Sequence, residues 1–123
     1  MADRRKKQSP IPDFEVRFYE GIIKRRPDYI DALIPLAEAY TRNGLYQKGL
    51  AIDKRLAVLC KDDPVVFYNL ACSQALVGQK REALAVLKQA IALGYQDFAH
   101  LLKDPDLDSL RDDPAFKKMI GNI

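Results

Sequence analysis

Residues 30–63, IDALIPLAEAYTRNGLYQKGLAIDKRLAVLCKDD, lie in register over residues 64–97, PVVFYNLACSQALVGQKREALAVLKQAIALGYQD, at an offset of 34. This internal likeness decides how the chain is read, because a repeat of that length is one supersecondary unit copied. Leu36 falls over Leu70, Ala37 over Ala71, Gly44 over Gly78 and Leu50 over Leu84, while Leu33 meets Phe67, Gly49 meets Ala83 and Leu56 meets Ala90. Apart from Leu56 over Ala90, large residues sit on large ones and small on small.

Each block divides at its glycine into two helices. Leu33, Leu36, Ala37 and Tyr40 follow the i, i+3, i+4, i+7 spacing that gathers apolar groups on one helical face. Asn43 and Gly44 supply the left-handed conformation that ends a helix. A second stripe then runs through Tyr46, Gly49, Leu50, Leu56 and Ala57. The second block repeats the hairpin with Phe67, Leu70 and Ala71, a break at Gly78, then Ala83, Leu84, Leu87, Ala90 and Ile91, stopped at Gly94. Ala37, Gly49, Ala71 and Ala83 are small because antiparallel helices reach axial distances of about 8–10 Å only where the side chains in contact permit it. Upstream, Phe14, Phe18, Tyr19, Ile22 and Ile23 make one more amphipathic helix, ended by Pro27, which disfavours helical geometry in the residue before it.

Downstream, Asp97 to Leu102 predicts a further helix. Asp104-Pro105 and Asp113-Pro114 each read as a cap residue followed by proline at the first helical position, and Phe116, Met119 and Ile120 form a short stripe. The expected organisation is a disordered basic tail over residues 1–10 and a single domain over 11–123. That domain comprises a half repeat at 14–29, repeats at 30–63 and 64–97 and a capping segment at 98–123.

Composition narrows the function classes. Arg4, Arg5, Lys6 and Lys7 against Asp3 account for the whole formal charge of +3, so residues 9–123 are balanced and offer no broad attraction to phosphate. Cys60 and Cys72 lack C-x-x-C spacing, which points to reduced thiols rather than a zinc site or disulfide framework. Apolar runs fall short of the roughly 18 residues of a membrane span, and the basic N-terminus is followed by no apolar signal region. A cytoplasmic protein without membrane insertion is the expectation.

With these residues in place, the chain resembles the tetratricopeptide repeat family. Leu33, Leu36, Ala37, Tyr40, Gly44 and Tyr46 match its repeat pattern in the first block, and Phe67, Leu70, Ala71, Gly78, Ala83, Leu87 and Ala90 match it in the second. Tyr19, Ile22 and Pro27 fit the end of a preceding repeat. Gly49, Asp53, Leu56, Lys61, Gln74, Lys80 and Tyr95 depart from it, and Pro35 interrupts the first helix. The tail from Asp104 to Phe116 looks like the closing segment of small bacterial members. The resemblance implies an all-α, right-handed superhelical stack of antiparallel helix pairs, about two and a half repeats with capping helices, that acts as a scaffold.

The same resemblance implies that the first helix of each pair lines a concave groove for a partner peptide. Its outward positions are Asp31, Ile34, Pro35, Glu38, Thr41 and Arg42, then Val65, Tyr68, Asn69, Cys72, Ala75 and Leu76. Tyr68 and Asn69 stand out, as an aromatic gives contact area at little entropic cost and an amide holds a peptide backbone. Only Asn69 matches the set with which some members grip a C-terminal carboxylate, and Ile34 and Glu38 occupy positions of that set.

No catalytic, cofactor or metal site is expected. Asp104, Asp106 and Asp108 open like a calcium loop, but Ser109 and Ala115 stand where such a loop needs Gly and Glu. His100, the single histidine, has no serine or carboxylate at a recognisable catalytic spacing. The expected role is therefore a protein-interaction adaptor. The alternatives are homo-oligomeric assembly through the half repeat, where an exposed apolar face would pair with a second copy, and single-stranded RNA binding, against which Asp31 and Glu38 argue.

Overall fold

The computed structural model describes residues 14–121, and the basic tail expected at residues 1–10 lies outside them. The described residues are mostly helical, with no strand among them: α1 (Phe14–Arg25), α2 (Ile30–Arg42), α3 (Tyr46–Leu59), α4 (Pro64–Leu76), α5 (Lys80–Ala92), α6 (Phe98–Lys103), a 3-10 helix (Pro105–Leu110) and α7 (Pro114–Gly121). They fall into two compact units, one ending at Leu59 and the other beginning at Cys60.

In the first unit α2 packs against both α1 and α3. Val16, Leu36, Ala39 and Tyr40 form a buried cluster, flanked by Tyr19, Ile23, Leu45 and Ile52. Polar ties hold the same helices together. Tyr40 Oη donates to Glu20 Oε2 at 2.5 Å, Arg42 pairs with Glu15 at 3.2 Å, and Arg55 of α3 donates to Pro27 O at 3.1 Å and to the Asp28 carboxylate. Gly49 marks the close approach of α3 to α2, since a Cβ there would stand 3.1 Å from Thr41 Oγ1, which itself donates to Ala37 O. Pro35 does not break its helix: α2 runs without interruption from Ile30 to Arg42, so packing outweighs the one backbone bond proline forfeits. Asp53, one of the residues that depart from the repeat pattern, is buried.

In the second unit α4 packs along α5 and against the 3-10 helix, and α5 also meets α7. Ala71 and Ala83, the small residues expected between the paired helices, are fully buried, as are Leu87 and Ala90. Leu101, Leu107 and Leu110 seal the C-terminal end.

Both units end their helices alike. Gly44, Gly78 and Gly94 have φ of 75°, 86° and 113°. The residue after each donates back five positions, Leu45 N to Tyr40 O at 2.8 Å, Gln79 N to Gln74 O at 2.9 Å and Tyr95 N to Ala90 O at 3.0 Å, which satisfies carbonyls that a helix end otherwise leaves open. Asn43 keeps a negative φ, so glycine alone makes each turn.

Candidate functional site

Tyr68, Cys72, Tyr95, His100 and Asp104 converge in the second unit. Gly94 turns the chain so that Tyr95 folds back, and its ring stacks on Tyr68 of α4 at 4.2 Å between centroids and 2° between planes. Six residues of α6 follow, capped by Asp97, whose side chain accepts from His100 N. They deliver Asp104 to the same place. Asp104 caps the 3-10 helix with Oδ1, accepting from Asp106 N at 3.0 Å. Its Oδ2 accepts from Tyr68 Oη at 2.7 Å, stands 3.1 Å from His100 Nε2 and 3.7 Å from Cys72 Sγ. Arg111 Nη2 donates to the Asp104 carbonyl at 2.5 Å. A carboxylate only 4 % exposed is thus kept in place by donors from every side.

Burial is the main force on the tyrosines. It raises the Tyr68 phenol far above its ordinary range, helped by Cys72 and by the carboxylate of Asp104 that accepts its proton, and it pushes Tyr95 up to about 12. In the first unit Tyr40 is raised in the same way, by burial and then by Glu20.

These contacts change the expected groove. Tyr68 is 3 % exposed and Cys72 is buried, both beneath the chain's own segment from Tyr95 to Leu110, so neither is an open contact residue. The sequence pattern sets them on one face of α4, but what covers that face lies thirty-odd residues away and carries no periodic signal. Ala75 is buried too, Asn69 and Leu76 are half-buried, and Val65 alone of the α4 set projects into solvent. On α2, Asp31, Ile34 and Glu38 are exposed, Pro35 and Thr41 half-buried, and Arg42 is engaged with Glu15. His100 has the carboxylate partner that sequence spacing did not offer, Asp104, four residues on.

The cluster has the elements of several chemistries. Ligand atoms of Cys72, Asp104 and Asp106 lie within 4.8 Å of one another, yet the Asp104 oxygen that would bind a cation is already directed at a phenol, an imidazole and a thiol. Thiol and imidazole both address that carboxylate, and a negative group beside the sulfur opposes the thiolate a nucleophile needs. Asp108 faces outward to Arg111 at 3.1 Å, so the three aspartates of the loop do not converge as ligands. Built this way, the cluster is a clasp joining α4 to the C-terminal segment.

Open apolar surfaces among the described residues include the following two. Between α5 and α7 lies a half-open groove of about 540 Å³ lined by Leu84, Ala85, Ile91, Ala92, Ala115 and Met119, with Lys88 and Lys118 at its edges. On α1 of the first unit, Phe14 and Phe18 are 71 % and 51 % exposed, their rings stacked at 5.8 Å. The spacing of Phe14 and Phe18 marks them as the apolar face of their helix, whereas the α5–α7 groove has no sequence signal, since it depends on how far α7 stands from α5.

A family model described as A/B hydrolase-like, N-terminal domain matches residues 33–122. A chloroplast protein of Arabidopsis thaliana is 33 % identical over 86 residues, which are 66 % of this chain and 25 % of that protein. The chain thus spans about a quarter of that relative's length. No solved structure matches it significantly. These matches overturn the tetratricopeptide resemblance: the matching family is a different one. Apolar spacing on a face, small residues at a close approach and glycine at a helix end are demanded of any tight helical hairpin, and much of the resemblance rested on them. A bacterial or cytoplasmic origin finds no support either, the relative being a plant chloroplast protein. No helix among the described residues is long and apolar enough to cross a membrane.

Proposed function

The chain belongs to the A/B hydrolase-like N-terminal domain family, and from that membership and the geometry above we propose that it is a protein-interaction module taking a partner polypeptide on the α5–α7 face. The observation that carries the reading is the groove of about 540 Å³, within the size range of known ligand clefts, about 300–1,000 Å³, and floored by half-buried apolar side chains. The family's own description, an N-terminal domain, suits a module that works beside another folded body. By contrast, the Tyr68 face is occupied by the chain itself and its polar groups are spent on the clasp.

The test is affinity capture from the source cells with the native chain and with Ala85→Arg/Ala92→Arg, two exposed positions whose long side chains fill the groove without touching the core. Partners held by the native protein are expected to drop out with the double variant. Identical capture by both proteins would sink the reading.

Self-assembly through α1 is a second reading, favoured by the stacked Phe14 and Phe18, whose exposure leaves a large apolar ridge in water. Sedimentation at high concentration should then show association that Phe14→Ser/Phe18→Ser removes. A native protein that stays monomeric eliminates it.

A further inference from the structure

Resting on the interaction reading just given, we infer that the α5–α7 groove receives an amphipathic helix whose apolar stripe is flanked by carboxylates. Charge is the first ground. α5 and α7 together carry Lys80, Arg81, Lys88, Lys117 and Lys118 against one carboxylate, Glu82. The body of the chain is neutral overall, so this excess is a local concentration, not a reflection of composition. Lys88 comes from one wall and Lys118 from the other, both exposed and both at the groove's edge. Neither has an acidic partner within the described residues. Asp112 and Asp113 precede α7, and Asp113 is taken up in capping it through Ala115 N at 2.8 Å.

The shape of the walls is the second ground. Leu84 and Ile91 stand seven residues apart on α5 and form the floor with Met119, a flexible thioether that adapts to a neighbour. Ala85 and Ala92 repeat the same spacing at the edge, with Ala115 across from them. Low alanine walls let a third helix approach to about 8–10 Å, as helices pack elsewhere, and laying an apolar face into such a groove is an established mode of peptide recognition. An acyl chain would call for an enclosed tunnel instead, and this cleft is half-open.

Charge also disfavours occupants from within the chain. Residues 1–13 carry Arg4, Arg5, Lys6 and Lys7 against Asp3 and Asp13, and α1 of a second copy carries Arg17, Lys24 and Arg25 against Glu15 and Glu20. Both segments are net positive, which opposes binding beside the two lysines.

Calorimetric titration of the whole chain with two short synthetic helices tests the inference, the two sharing one leucine stripe but flanked by glutamates or by lysines. The glutamate peptide is expected to bind more tightly by about tenfold or more, because each rim contact changes from attraction to repulsion in the other. Lys88→Glu/Lys118→Glu should reverse the order without altering the melting curve, and added salt should narrow the gap. Equal affinities, a preference for the lysine peptide or a reversal variant that behaves like the native chain would each overturn the acidic partner. So would binding to phosphatidylglycerol vesicles in place of the glutamate peptide. If neither peptide binds while Ala85→Arg/Ala92→Arg still loses its cellular partners, the acidic helix falls and the interaction reading stands. If the variant keeps those partners, that reading falls by itself.

Discussion

Tyr68 shows how much one side chain can decide. Its hydroxyl reaches a buried carboxylate and its ring lies flat on Tyr95, so removing the hydroxyl alone isolates the polar contribution. Tyr68→Phe should cost about 1.5–3 kcal/mol, the range for hydrogen bonds to charged groups. Tyr68→Ala, which also opens a cavity beside Tyr95, should cost about 3–5 kcal/mol. Equilibrium urea unfolding measures both, and losses below about 0.5 kcal/mol, typical of an exposed site, would show that the phenol is not held as described. Amphipathic spacing sets Tyr68 on one face of α4, and the local pattern alone makes that face look open. The reason is physical: amphipathic spacing reports which residues leave solvent, while the identity of the covering group is set by a contact 36 residues distant. Asp104 was legible only as a cap. Its second oxygen, which does the joining, left no mark in the local pattern.

At the scale of the element, three Asp-Pro pairs begin three helices. Asp63 accepts from Val65 N and Val66 N ahead of α4, Asp104 from Asp106 N ahead of the 3-10 helix, and Asp113 from Ala115 N ahead of α7. The last two were legible because aspartate supplies the acceptor and proline the fixed φ of the first turn. Asp63-Pro64 carries the same signal at the seam of the two repeat blocks, where the cap of one block is written in the last residue of the other. The exposed Asp63 allows a clean measurement, since its side chain serves the cap alone. Asp63→Ala should lower stability by about 1 kcal/mol, the usual worth of such a cap, whereas Asp63→Asn should be nearly silent. Should the two substitutions prove equally costly by urea unfolding, the cap is not what Asp63 provides. Helices and their ends were thus readable because they are written within a few residues. The 3-10 geometry after Asp104 and the distance of α7 from α5 were not, because both follow from how the final turns settle on α4 and α5.

Over the whole molecule, three buried tyrosines link stability to alkali. Tyr40 in the first unit and Tyr68 and Tyr95 in the second are each held above the ordinary phenol value, burial being the first cause in every case. In the unfolded chain all three lose their protons near pH 10, while the folded chain retains them, so above that pH the unfolded state binds fewer protons and stability must fall as pH rises. Each retained proton costs about 1.4 kcal/mol per pH unit. For Tyr95 the loss runs from about pH 10 up to about 12, where its folded form also ionises. Ultraviolet absorbance of phenolate and helical circular dichroism, followed together through that range, give the measurement. Phenolate from Tyr40 and Tyr68 should appear only as helix is lost, whereas Tyr95 also ionises in the folded chain toward pH 12, and Tyr68→Phe, by removing one proton from the count, should flatten the decline even though it starts from a less stable protein. Phenolate signal from all six tyrosines while the circular dichroism is still intact would mean that water reaches Tyr40, Tyr68 and Tyr95, and the packing assigned to both units would then be wrong.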